Sequence, residues 1–194
     1  MATIVTHGVV GLGLGKVYAT RRMGVLFWVL AFLSPMVPDF DVFGMFWNIP
    51  YDGSPLSHRG FTHSIVFACA LGLLMAWLTF RYFNVRFWPL WLFFSAAIAS
   101  HGVLDALTNG GYGIAFFWPF DSTRYGPRWG PIQVTDIGFE IPDFRTSRTV
   151  HTELLWVWLP TALIVNLVMS YRYWKSCKSS ATRSTGANPT PPAP

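Results

Sequence analysis

The chain reads as an all-α, polytopic membrane bundle of four to five hydrophobic helices. Three observations predict this. Hydrophobic residues make up 52% of the 194 residues, and charged residues only 12%, about half the share usual in a soluble domain. Mean hydropathy is +0.38. The apolar residues gather into runs near membrane-spanning length, separated by short charged segments.

Each run has its own character. Met1 to Gly15 is uncharged and glycine-rich, and Gly11 with Gly15 forms a small-xxx-small face suited to close helix packing. Met23 to Pro38 is apolar but short. These first two runs read as tilted, re-entrant, or a packed helical pair. Ser64 to Phe80, Phe87 to Thr108 and Leu154 to Ser170 meet the roughly 17 to 25 residues that a spanning helix needs. From Ser176 the chain turns Ser-, Thr-, Ala- and Pro-rich, which predicts a disordered cytoplasmic tail over 176–194 after a membrane domain over 1–175. The first residues lack the basic n-region of a cleavable signal peptide. Cys69 and Cys177 make neither a disulfide framework nor a zinc knuckle.

The charges sort by side. Lys16, Arg21, Arg22, Arg81, Arg86, Arg172, Lys175, Lys178 and Arg183 fall on one side if every run crosses. The nine acids fall on the other side or in the outer helix ends. The positive-inside rule places the basic side, and the C-terminus, in the cytoplasm. The long polar loops Asp39 to Thr62 and Asn109 to Glu153 then face outward. The net charge of +5 reads as topology and lipid contact rather than nucleic-acid binding. Six tryptophans, Trp47, Trp88, Trp118, Trp129, Trp156 and Trp158, read as interfacial anchors or core.

Against this apolar background the polar motifs converge on the outer ends. His101 and Asp105 stand one helical turn apart in the Phe87 to Thr108 run, on one helix face. Ionisable residues in a membrane segment mark a functional site by default, and imidazole with carboxylate is a standard zinc donor pair. Pro38-Asp39-Phe40-Asp41 closes the second run at the same end, and the two carboxylates suit a turn rather than one helix face. His58 and His63, about 140° apart on an ideal helix, read as straddling a loop-to-helix junction capped near Thr62. His7 lies near the outer end of the first run. Arg59, between the two histidines, suits an anionic group such as phosphate. Thr108-Asn109-Gly110-Gly111 predicts a helix end with a glycine cap. His151 reads as a cap or interface residue. Each piece also has a structural reading: a polar turn for Asp39 and Asp41, a surface position for His58, a packing hydrogen bond for His101 and Asp105.

Together the motifs resemble a known family. Pro38-Asp39-x-Asp41, His58-Arg59-Gly60-x-Thr62-His63-Ser64, Ser100-His101-x-x-x-Asp105-x-x-Thr108, and Pro119-Phe120 with Arg124-Tyr125 resemble the LexA-regulated family of bacterial inner-membrane metal-dependent hydrolases. That family is distantly similar to the zinc-dependent phospholipase C and single-strand nuclease superfamily. The resemblance implies a metal site of Asp39, His63, His101 and Asp105, with His7 sharing Asp105 toward a second ion. Downstream of His101-x-x-x-Asp105 the chain departs from the superfamily, with no histidine until His151 and only Glu140 and Glu153 as glutamates. One or two divalent ions, zinc first, is the resulting expectation, with Asp41 and His58 as substitute ligands. The function expected is hydrolysis of a phosphoester, lipid-linked or lipid itself, at the outer face of the inner membrane. Asp39 or Asp41 would position water or act as base, and Arg59 and Arg124 would bind the phosphate charge. The alternative is a non-enzymatic membrane protein that binds or transports metal, or one whose polar cluster serves packing alone.

Overall fold

The computed structural model describes residues 2–47, 57–126, 129–134 and 147–185. It is mostly helical, and among the described residues the β pairing is confined to two isolated bridges. Four helical segments are long and apolar enough to cross a membrane: Val25–Gly44, Ile65–Phe83, Phe87–Ala106 and Arg148–Ser179. The expected all-α bundle is the observed one.

Helix α1 (Ile4–Tyr18) is the shorter apolar member. Its 15 residues span only about 22 Å at 1.5 Å per residue, less than a hydrocarbon core. Four interior glycines lower its intrinsic helicity, and packing explains their presence. A Cβ on Gly11 would collide with the Ala31 carbonyl, and one on Gly8 with the Phe32 ring. The Gly11 and Gly15 face therefore lies against α2 (Val25–Leu33), as the spacing predicts. Gly13 points the other way, toward Thr161.

Helix α2 does not stop at the prolines. It tightens into a 3₁₀ segment, Ser34–Trp47, that carries Pro35, Pro38, Asp39 and Asp41. A run of 14 residues is long for this geometry, whose runs seldom pass about 3–4 residues. Proline favours it, because Pro38 removes an amide donor and cannot continue an α-helix comfortably. The second apolar run is thus longer than its sequence bounds of Met23 to Pro38.

Helices α3 (Ile65–Phe83) and α4 (Phe87–Ala106) form an antiparallel hairpin, the most extensive helix contact in the structure. Gly72 permits the close crossing: a Cβ there would fall within 2.7 Å of the Ser95 backbone nitrogen. Helix α3 begins at Ser64, whose hydroxyl accepts from the Phe67 amide at 3.1 Å. The cap is therefore Ser64 and not Thr62, whose hydroxyl is committed elsewhere. Helix α4 is the centre of the bundle, with Leu90, Phe94, Ile98, His101 and Asp105 on its buried face. It ends at Leu107 in right-handed geometry, so the expected glycine cap is absent. The left-handed glycines are Gly111 and Gly113, which turn the loop beyond.

The last helix enters through a short α-helix (α5, Arg148–Glu153) and a π turn, Leu154–Trp158, into α6 (Leu159–Thr185). Residues 176–185, read above as the start of a disordered tail, are helical. Once a helix is nucleated each added residue gains one hydrogen bond, and nothing in this stretch breaks it. Residues 186–194 lie outside the described set, as do Asp52, Asp136, Glu140 and Asp143 of the charge map.

Direction follows from the contacts. His7 meets His101 while Tyr18 meets Phe93, so α1 and α4 are antiparallel. Thr6 meets Glu153 and Val17 meets Arg172, so α1 and α6 run the same way. Every polar motif consequently sits at one end of the bundle. A core rich in aromatic rings, Phe27, Phe83, Phe93 and Phe94 with Leu90, fills the other half.

Candidate metal centre

Four donor atoms from three segments point at one another. Nε2 of His101 lies 3.0 Å from Nε2 of His63 and 3.2 Å from Oδ1 of Asp39. Nε2 of His63 lies 3.8 Å from Asp39 Oδ1 and 3.8 Å from Asp105 Oδ2. His101 Nε2 and Asp105 Oδ2 are 4.0 Å apart. An ion bound tetrahedrally at zinc distances holds its donors about 3.3 Å apart, within the spread of these separations. All four residues are buried, and the group can hold a metal ion.

The hydrogen bonds around the ring decide what the Nε2 atoms carry. Nδ1 of His101 faces the Pro35 carbonyl at 2.7 Å. A carbonyl only accepts, so Nδ1 holds a proton, and in the neutral ring Nε2 is left with a lone pair. In the 3₁₀ pattern the Pro35 carbonyl would bond to the amide of residue 38, but residue 38 is proline. Pro38 thus leaves that carbonyl open to His101. Nδ1 of His63 faces Thr62 Oγ1 at 3.0 Å and Asp41 Oδ2 at 3.3 Å. The Thr62 hydroxyl donates to Asp41 Oδ2 at 2.5 Å, so it accepts from His63 Nδ1–H. Burial pushes the His63 imidazole below its ordinary pKa, with Asp41 opposing the shift. The ring is then a neutral ligand. Two imidazole lone pairs facing each other at 3.0 Å repel unless a proton or a metal ion lies between them.

The carboxylates point to the same need. Both oxygens of Asp39 and Oδ2 of Asp105 are buried without a hydrogen-bond partner. Arg59 lies 3.3 Å from Asp105 Oδ2 through Nε. Asp39 has histidine nitrogens alone within salt-bridge distance. A buried carboxylate left uncompensated costs several kcal/mol, and a bound divalent ion removes that cost.

The remaining expected residues surround this cluster. His7 stacks on His101 with ring centroids 3.8 Å apart, and its Nε2 is 3.5 Å from Asp105 Oδ1. Both its ring nitrogens are buried without a hydrogen bond. Asp41 turns to the other side of the 3₁₀ segment, where Oδ1 accepts from His58 Nδ1 at 2.5 Å. Asp41, His58 and His63 form a second group able to hold an ion, sharing His63 with the first. Arg59 is buried, with φ at 66°, and donates from Nη1 to the Gly110 carbonyl at 2.6 Å and from Nη2 to Thr108 Oγ1 at 3.1 Å. Arg124 donates from Nη2 to Ser57 Oγ at 3.2 Å and lines the same cavity as Arg59. His151 is exposed, away from the cluster.

Sequence reasoning missed one anchor. Glu153 is buried and accepts from the Thr3 and Thr6 hydroxyls at 2.6 and 2.7 Å, and from the Thr3 amide. It ties the start of α1, and so His7, to the last helix. The available signal was Thr3-x-x-Thr6 in a first turn and one acid opening the final apolar run.

The profile of the family described as YdjM inner membrane protein matches residues 1–176. The chain belongs to that family. A curated relative, the inner membrane protein YbcI of Escherichia coli (strain K12), is 35% identical over 175 residues, which is 87% of this chain and 97% of that protein. No solved structure matches. Membership and the four long apolar helices make this a multi-pass inner-membrane protein. The matched region contains every residue of the cluster. The likeness to the phospholipase C superfamily rests on the motifs alone, since the matches are to inner-membrane proteins.

Proposed function

We propose that this protein is a metal-dependent hydrolase of the inner membrane, acting on a phosphoester at the outer face. The observation that carries the reading is the convergence of four buried donors whose histidine protons are already committed to outer partners. Zinc suits a two-nitrogen, two-oxygen donor set. Asp39, His63, His101 and Asp105 would hold the first ion. His7 would serve a second through Asp105. The segregation of charge supports an outward site and a cytoplasmic C-terminus.

A divalent ion held there supplies Lewis acidity and lowers the pKa of water. The side chains do the rest. Asp39 keeps an oxygen free of hydrogen bonds, so it is the better base for a proton leaving the attacking water. Asp41 is tied to His58, His63 and Thr62, so it orients His63 instead. Water adds to phosphorus, the bond to the leaving oxygen breaks, and that oxygen takes up a proton. Arg59 and Arg124 stabilise the phosphate charge.

Transport is the weaker alternative. A metal path would continue across the bundle, but the half below the cluster is closed by Phe27, Phe93 and Phe94. Elemental analysis of detergent-purified protein tests the reading. The expected result is at least one transition-metal ion per chain, lost in His101→Ala, with phosphodiesterase or phospholipase turnover on added zinc or manganese. Wild-type protein without stoichiometric metal would sink it. Metal without turnover would leave a binding protein.

A further inference from the structure

Beside the cluster lies a cavity of about 580 Å³ whose lining includes Arg59, Arg124, Asp105 and a set of glycines. That volume falls in the range of small-molecule sites. We propose that this cavity binds the phosphate group of the substrate, with Arg59 and Arg124 as its cationic walls and Asp105 as the link to the metal cluster. The proposal deepens the hydrolase reading and rests on it for the reaction, though not for the binding.

The walls are preformed. Tyr125 and Ile114 exchange backbone hydrogen bonds at 2.8 and 2.9 Å, and the Asn109 amide donates to the Ile132 carbonyl at 2.9 Å. These pairs hold the segments after α4 in fixed register. Glycine lets the segments approach closely. Gly113 has φ at 76°, which favours glycine, and a Cβ there would come within 3.0 Å of the Tyr125 carbonyl. A Cβ on Gly130 would fall within 2.5 Å of the Asn109 backbone. At these glycines the backbone lines the cavity, beside the side chains of Tyr112, Arg124 and Trp129.

Charge selects the ligand. Among the described lining residues, two guanidinium groups outweigh the single Asp105 carboxylate and favour an anion. Arg59 is 2% exposed and is held by Asp105, Thr108 and the Gly110 carbonyl. The guanidinium carries five donors in a rigid fork, so donors remain beyond these partners. A tetrahedral phosphate oxyanion takes bidentate pairs from such forks. Its phosphorus would then stand next to Asp105, whose Oδ2 belongs to the metal cluster, so binding and chemistry share one residue. The phosphate can belong to a lipid headgroup or to a soluble phosphoester. Trp129, 66% exposed at the cavity, is a residue type enriched where proteins meet lipid headgroups.

Calorimetry on full-length protein in detergent tests this, using inorganic phosphate, glycerol phosphate, acetate, and vesicles of phosphatidylglycerol. Wild type should bind phosphate with and without metal. Arg124→Met should weaken that binding at least about tenfold, and Arg124→Lys should recover part of it, all at unchanged metal content. Tighter binding to the vesicles than to glycerol phosphate assigns a lipid, and the reverse assigns a soluble phosphoester. No phosphate binding, equal binding by Arg124→Met, or equal binding of acetate would overturn the proposal while leaving the metal reading intact. Phosphate binding by wild-type protein that takes up no metal even when zinc or manganese is supplied would instead overturn the hydrolase reading alone.

Discussion

The two ends of the bundle solve the problem of burying polar groups in opposite ways. At the cluster end, ionisable side chains are buried and face each other: Asp39, His63, His101, Asp105 and Arg59. At the opposite end, arginines reach over helix termini and satisfy backbone carbonyls. Arg21 donates to the Phe83 and Asn84 carbonyls at 2.5 and 2.6 Å, closing the C-terminus of α3. Arg172 donates to the Val17 and Ala19 carbonyls and closes α1. The last carbonyls of a helix have no internal partner, and a cation there also suits the helix dipole. One end therefore uses charge for cohesion, with its core made of aromatic rings. The other also buries carboxylate oxygens of Asp39 and Asp105 that find no hydrogen-bond partner. Buried charge beyond structural need is the mark of a site.

Substitutions at four positions sharpen or break this contrast. The largest effect is expected from Asp105→Ala, which strands the buried Arg59 and removes a ligand. It should cost about 3–5 kcal/mol in unfolding and abolish metal binding, whereas Asp105→Asn should retain more of the stability than of the metal. Phe27→Ala at the aromatic end should cost about 3 kcal/mol and leave metal stoichiometry unchanged. If it removed the metal as well, the two ends would not be separable. Asp41→Asn should keep the stoichiometry but weaken affinity about 10- to 100-fold, read by competition with a chromogenic chelator. Unchanged affinity would remove Asp41 from its orienting role. The smallest effect is expected from Arg172→Ala, about 1 kcal/mol in thermal stability, with no change in metal content.

Pro38 shows how much of the site was legible and where legibility ended. Its presence before Asp39 signals a turn from sequence. That it also opens the Pro35 carbonyl to His101 depends on the 3₁₀ geometry and on α4 lying alongside. Thr62 was readable as a junction residue, yet its hydroxyl serves Asp41 because the 3₁₀ segment passes over it. Glu153 was visible only as an acid on the polar side, since its partners Thr3 and Thr6 lie some 150 residues away.

The sequence by itself determined the helices, their approximate bounds and the end at which the polar groups gather. These follow from hydropathy, the spacing of His101 and Asp105, and the sorting of charge, all of which are local or additive along the chain. The tertiary structure decided the rest: which carboxylates face the cluster centre, which histidine nitrogens face it, and that Arg59 and Arg124 share a cavity. Those depend on how antiparallel helices cross at Gly11 and Gly72. A crossing sets distances between residues far apart in the chain, and no local pattern encodes them.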